Sequence, residues 1–326
     1  MKTYSAADVD AALDDLALVD RLDALFRAGC EMPPRHHHTL AAPAGPGSAD
    51  ATLLLMPAWT GGQASRVGVK LVTVFPDNGR QGLPAIFGQY VLLDGRTGEP
   101  QALLDGTMLT KRRTACASGL ASRYLSRPDA SRLLMIGTGA LAPHLIRVHA
   151  KIRPIREVMI WGRRPDRAQD LARELSATLP PSLGRAIDVR AVADRQSAVG
   201  AADIVSSATL SAVPLVEGAW LREGQHVDLV GAYTSAMRES DDAAVRRARV
   251  FVDTRAGALK EAGDVVQPLA AGVIGAKDIV ADLFELARGQ QTGRAPGDRI
   301  GITLFKSVGA ALEDLAAADL VHAAAV

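Results

Sequence analysis

The residues best placed to do chemistry begin with Gly137-Thr138-Gly139-Ala140-Leu141-Ala142, which follow the apolar run Leu133-Leu134-Met135-Ile136. A strand that feeds Gly-x-Gly-x-x-Ala and then a helix is the pattern of a pyrophosphate cradle. Gly137 allows the tight turn, Gly139 lets backbone approach the phosphates, and Ala142 permits close helix–strand packing. The helix N-terminus favours the anion. The spacing therefore places dinucleotide contacts on Gly137, Thr138, Gly139, Ala140 and Leu141. A second apolar run, Val158-Met159-Ile160-Trp161, ends in Gly162-Arg163-Arg164. An acid at this point would select the ribose diol of NAD, whereas arginine suits a 2′-phosphate. Arg163 and Arg164 thus favour NADPH, with NADH as the lesser cofactor. Ser206-Ser207-Ala208-Thr209 closes a later run. Its hydroxyls, Thr209 included, either line the cofactor cleft or make a polar strand-end turn.

A second group consists of cations in apolar surroundings. Lys70 stands in Val67-Gly68-Val69-Lys70-Leu71-Val72-Thr73-Val74, a run with no other charge. Such a lysine either snorkels to water or needs a partner. Arg112-Arg113 precedes Thr114-Ala115-Cys116-Ala117-Ser118-Gly119, small residues that suit either a ligand or helix packing. Arg35 follows Pro33-Pro34. Together these cations could bind a small carboxylate, arginine by its bidentate fork. His36-His37-His38 looks like a metal tract, but adjacent strand residues point to opposite faces, so no metal is expected there. No Gly-x-Ser-x-Gly elbow supports a serine hydrolase.

The elements that must position these groups fall into two patterns. Val9, Leu13, Leu16, Leu22, Leu25 and Phe26 recur at helical spacing between Ser5 or Asp8 and Gly29. Ala41–Asp50 reads as a loop, and strands are expected at Thr52–Met56, Val67–Phe75, Ile86–Leu93 and Gln101–Leu104. Turn-linked strands in sequence imply a mostly antiparallel sheet. A helix over Thr107–Leu125 leads to Ser126-Arg127-Pro128-Asp129, after which strands and helices alternate. Alternation means βαβ units and a Rossmann-type, doubly wound parallel sheet. The fold class is therefore α/β, with residues 129–301 as the parallel-sheet domain and 1–128 as a mostly antiparallel α+β domain. A last helix, about Leu304–His322, is expected to join the first domain, so that 302–326 belong to it.

Composition bounds the remainder. A chain of 326 residues suggests about two domains. With 37 Lys and Arg against 36 Asp and Glu, the net charge of +1 argues against a nucleic-acid partner. No apolar run reaches the ~18 residues of a membrane span, and no apolar signal segment follows Met1-Lys2-Thr3-Tyr4. Two cysteines cannot make a disulfide framework, so a reducing cytoplasm is expected.

Several blocks, in order, resemble the ornithine cyclodeaminase/mu-crystallin family over nearly the whole chain. They are Met56-Pro57, Lys70-Leu71-Val72-Thr73, Leu109-Thr110-Lys111-Arg112-Arg113-Thr114-Ala115 and Ile136-Gly137-Thr138-Gly139. Ala258-Leu259-Lys260-Glu261-Ala262-Gly263-Asp264-Val265 and Leu304-Phe305-Lys306-Ser307-Val308-Gly309 continue the series. The resemblance implies a homodimer whose first domain binds substrate and dimerises, beside an NAD(P)-binding domain. It places the carboxylate-binding cations on Arg35, Lys70 and Arg113. Cyclodeaminases carry a catalytic Asp in Val-Gly-Gly-Asp, where this chain reads Val230-Gly231-Ala232-Tyr233. This version, with Trp59-Thr60-Gly61-Gly62 upstream, is similar to the family's Δ1-pyrroline-2-carboxylate reductases, which reduce a cyclic ketimine to L-proline. The implied activity is NAD(P)H-dependent reduction of such an imino acid, of five- or six-membered ring. Lys70 would act as a proton source or through its charge. Tyr233 would either orient the ring or merely pack. An amino-acid dehydrogenase, an ornithine cyclodeaminase and a non-catalytic NADPH- or ligand-binding protein are the alternatives.

Overall fold

A computed structural model describes residues 1–41, 48–62 and 65–324, so positions 42–47 of the expected Ala41–Asp50 loop lie outside the described residues. The chain divides into two compact units, Met1–Arg113 with Ala311–Val326, and Thr114–Ala310. The first division falls inside a helix, Gly106–Leu125, rather than at residue 128.

In the first unit β1 (Lys2–Tyr4) is followed by two helices, α1 (Ala6–Ala12) and α2 (Asp15–Ala28), where one was expected. Ser5 and Asp8 form a capping box at the start of α1. Leu13 is extended (φ −96°, ψ 103°), and the Asp14 carboxylate accepts from the backbone N–H of Leu16 and Ala17, each at 2.9 Å. The hydrophobic period runs on across this break because a cap costs only one turn of register. Gly29, at φ +83°, ends α2.

The sheet comprises β2 (His36–Leu40), β3 (Ala51–Trp59), β4 (Arg66–Val74), β5 (Ile86–Asp94) and β6 (Pro100–Asp105), with β1 added parallel to β6. Its order is β1-β6-β5-β4-β3-β2, and every pair but the first is antiparallel. Period-two alternation buries Met56, Ala58, Lys70, Tyr90, Leu92, Ala102 and Leu104 on one face. Gly68 on that face has a steric reason: a Cβ there would lie 1.9 Å from the Tyr90 hydroxyl oxygen. The C-terminal helix Ala311–Ala324 packs on β3, β4 and β5 and against α2. The first half of α3 (Gly106–Leu125) completes the unit.

The second unit holds β7 (Arg132–Ile136), α4 (Ala142–Ile152), β8 (Glu157–Trp161), α5 (Pro165–Leu183), β9 (Asp188–Ala191), α6 (Arg195–Ala201) and β10 (Ile204–Ser207). Then come β11 (His226–Leu229), α7 (Asp242–Arg247), β12 (Arg249–Val252), α8 (Arg255–Glu261), α9 (Gly263–Ala270), β13 (Ile279–Asp282), α10 (Leu283–Ala287) and β14 (Thr303–Lys306). All eight strands are parallel, in the order β13-β12-β14-β11-β10-β7-β8-β9. The expected Rossmann-type doubly wound sheet is therefore present. The chain leaves β7 toward β8 on one side and returns as β10 on the other, which makes a topological switch point between β7 and β10.

One sequence expectation is corrected here. Thr303–Lys306 is not the start of the last helix but β14, between β11 and β12 at the centre of the sheet. All four residues are buried, and a strand covered on both faces shows no alternation to distinguish it from a helix. Gly309, at φ +86°, then separates it from the C-terminal helix. Among the described residues no helix is long and apolar enough to cross a membrane.

Candidate active site

The switch point opens into a cleft of about 430 Å³, wholly within the second unit. Gly137, Thr138, Gly139 and Leu141 line it, with Arg163, Arg164, Thr209 and Tyr233. Ala140 is exposed and does not line it, because α4 begins at Ala142 and Ala140 stays in the preceding turn. Gly137 adopts φ +113° and donates from its N–H to the Trp161 carbonyl at 2.8 Å. A Cβ on Gly137 would lie 2.7 Å from the Ala208 carbonyl oxygen, so no other residue fits. Gly139 is different, since a Cβ there would meet nothing within 4 Å. Protein packing does not demand glycine at 139, whereas a pyrophosphate lying against the backbone would. These residues fit a dinucleotide.

Arg163 and Arg164 are exposed beyond β8. Arg164 reaches Asp166 at 3.2 Å, with both side chains about two-thirds in solvent, so little holds it back from a ligand. Of the hydroxyl run after β10, Ser206 is buried and donates to Asp228 at 2.7 Å. Ser207 is buried and donates to Glu239 at 2.7 Å, while Thr209 lines the cleft and also bonds Glu239. Tyr233 is 36 % exposed.

The first unit gathers the cations. Lys70 points from β4 into the core with 2 % exposure, so it does not snorkel. Its ammonium donates to Asp314 at 2.8 Å and to the Thr110 hydroxyl at 3.3 Å. Burial, then the neighbouring Arg113 charge, lowers its pKa to about 8; Asp314 opposes the fall and Arg35 adds to it. Arg113 donates to Glu313 at 2.6 Å and to Asp314 at 3.0 Å. Its neighbour Arg112 is spent elsewhere. It bonds Asp10 at 2.5 Å, Asp15 at 2.8 Å and the Leu13 carbonyl, tying α3 to the α1–α2 junction. Arg35 is half-buried, and its charge reaches Lys70. Lys70 and Arg113 thus share Asp314 in the buried core of this unit, and the Arg35 charge reaches the same ammonium. His36, His37 and His38 lie exposed on β2, and among the described residues no three His, Cys, Asp or Glu side chains gather as a metal site.

Sequence reasoning missed Glu313, Asp314 and Glu239. For the first two a signal existed: adjacent acids in a helix made mostly of Ala and Leu, where burial demands a partner. Glu239 carried no such signal, because it sits in a polar loop between β11 and α7.

The profile of the ornithine cyclodeaminase/mu-crystallin family matches residues 10–326. A Δ1-pyrroline-2-carboxylate reductase of Paracoccus denitrificans (strain Pd 1222) is 40 % identical over 276 residues, 84 % of this chain and 84 % of that protein. The solved structure of Thermococcus litoralis Δ1-pyrroline-2-carboxylate reductase in complex with NADH and L-proline is 31 % identical. It superposes with a TM-score of 0.88 and covers 100 % of this chain and 97 % of its own. An archaeal alanine dehydrogenase dimer with bound NAD gives a TM-score of 0.87 at 26 % identity, covering 100 % and 96 %.

Proposed function

The chain belongs to the ornithine cyclodeaminase/mu-crystallin family, and from that membership we propose that it is an NAD(P)H-dependent reductase of Δ1-pyrroline-2-carboxylate, forming L-proline. The observation that carries this reading is the buried cation cluster of the first unit, where Lys70 and Arg113 meet at Asp314 within reach of the Arg35 charge, a grouping suited to a small carboxylate. Two fold neighbours of near-equal TM-score, a reductase of this imine and an alanine dehydrogenase, are separated by sequence, which favours the imine.

In the proposed reaction the dinucleotide, when bound, supplies a hydride to the imine carbon. Arg113 and Arg35 hold the substrate carboxylate. As the C=N π-bond breaks, its electron pair stays on the ring nitrogen, which carries a proton in the reactive iminium. Lys70, with a pKa of about 8, holds a proton at Nζ near neutral pH and supplies one where the imine arrives unprotonated. Asp314 fixes that ammonium. Tyr233 lines the dinucleotide cleft. One methylene is worth only about 1–3 kcal/mol in a pocket, so Δ1-piperideine-2-carboxylate is a second substrate of this reading.

Three finer points belong to the proposal. NADPH is preferred over NADH through Arg163 and Arg164. The protein is a homodimer assembled on the open face of its six-stranded sheet. It acts in the cytoplasm. The test mixes purified protein with NADPH or NADH and the cyclic imine, then with pyruvate plus ammonia, then with ornithine, following dinucleotide absorbance. Consumption with the imine supports the reading, and turnover of ornithine without imine reduction sinks it.

A further inference from the structure

Glu239 is fully buried beneath the floor of the dinucleotide cleft. One carboxylate oxygen, Oε1, accepts from the Ser207 hydroxyl at 2.7 Å, the Thr209 N–H at 2.7 Å and the Thr209 hydroxyl at 2.8 Å. The other, Oε2, accepts from the N–H groups of Gly231 at 2.7 Å and Ala232 at 3.2 Å. The first set belongs to the segment leaving β10 and the second to the segment leaving β11. Both segments line the cleft, through Thr209 and through Gly231 and Tyr233. They also touch closely, since a Cβ on Gly231 would lie 2.0 Å from the Thr209 carbonyl oxygen.

The carboxylate is itself held. Asp264 on α9 accepts from the Glu239 N–H at 2.9 Å, and from the N–H and hydroxyl of Ser240. Lys306, on the central strand β14, lies 3.2 Å from Asp264 and 4.0 Å from Glu239. Two buried carboxylates therefore share one buried ammonium, an arrangement whose desolvation cost exceeds what cohesion alone requires.

We propose that Glu239 is a positioning residue for the dinucleotide, clamping the segments after β10 and β11 so that the Thr209 and Gly231 backbones present a fixed cleft wall. This rests on the reading of the cleft as a dinucleotide site. A carboxylate suits the task because it offers acceptors on both sides and no donor. Glu239→Gln keeps the shape but turns one side into an amide donor that faces N–H or O–H donors. One of the two segments is then released.

The experiment measures NADH and NADPH dissociation by protein fluorescence, and KM for dinucleotide and for imine, in wild type, Glu239→Gln and Ser207→Ala. Ser207 is buried behind the wall and does not line the cleft, so its replacement by Ala removes one hydrogen bond from Glu239 and touches no cleft-lining side chain. Glu239→Gln is expected to weaken dinucleotide binding about tenfold, with imine KM changed less than about twofold, and Ser207→Ala to shift in the same direction by less. Unchanged dinucleotide affinity in both variants overturns the proposal. Equal rises in both KM values also overturn it, because they mark general loss of structure. A wild type that binds no dinucleotide would instead refute the reading of the cleft.

Discussion

At the scale of single residues, the environment of Lys70 alters its chemistry within the pH range where the proposed reaction runs. Burial and the Arg113 charge lower its pKa to about 8, with Arg35 adding to the fall and Asp314 opposing it. If the protonated ammonium is the working form, kcat should fall as pH rises through about 8. Asp314→Asn removes the opposing charge, so the alkaline limb should move to lower pH; a limb that stays in place would remove Lys70 from the proton path. Lys70→Met should lower kcat and kcat/KM together. In the proposed reading Arg163 and Arg164 carry a preference for NADPH. Charge-assisted bonds to a phosphate are worth about 1.5–3 kcal/mol each. Replacing both with Ala should therefore cost NADPH at least about tenfold in kcat/KM and leave NADH nearly unchanged. Equal use of both cofactors by the wild type would end that assignment.

At the scale of elements, adjacent arginines on α3 do different work. Arg112 joins α3 to the α1–α2 junction through two aspartates and a carbonyl, and Arg113 faces the acids of the C-terminal helix. Arg112→Ala breaks the buried ion pair with Asp15 and should cost about 3–5 kcal/mol of stability, read as a lower midpoint in denaturant unfolding. The imine KM of the surviving folded protein should be near normal. Arg113→Lys keeps the charge but loses the fork, so imine KM should rise about tenfold while the unfolding midpoint moves little. A reversed pattern would exchange the two roles. Sequence placed both residues on one helix. It could not say which side chain met which partner, because those partners lie 97 residues before Arg112 and 200 residues after Arg113.

At the scale of the whole molecule, among the described residues of the first unit the C-terminal helix packs on the face of the six-stranded sheet that carries Lys70. Leu55 pairs with Leu71, and Leu71 with Gln89, on the face opposite Lys70. Trp59, Leu71 and Phe87 are each more than a third exposed there. Exposed apolar side chains grouped on one sheet face suit an interface, and a twofold partner is the commonest cover. Light scattering at micromolar concentration should report a dimer, and Leu71→Asp should convert it to a monomer. A monomeric wild type would contradict the assembly.

What the sequence by itself determined was the part of the protein that is local along the chain. The phosphate turn lies within Gly137–Ala142 and its helix follows at once. The strands of the antiparallel sheet and the short apolar runs of the parallel one are each read within a few residues, and the Arg163-Arg164 pair sits where the second parallel strand ends. Local conformational rules suffice for these. Tertiary structure alone decided the rest. Lys70 meets Asp314 across 244 residues of chain, and Glu239 meets Ser207 across 32 and Gly231 across 8. The strand Thr303–Lys306 was hidden because burial on both faces erases alternation. Charges buried far apart in sequence leave no periodic trace, since what selects them is the low dielectric of the site they share in three dimensions.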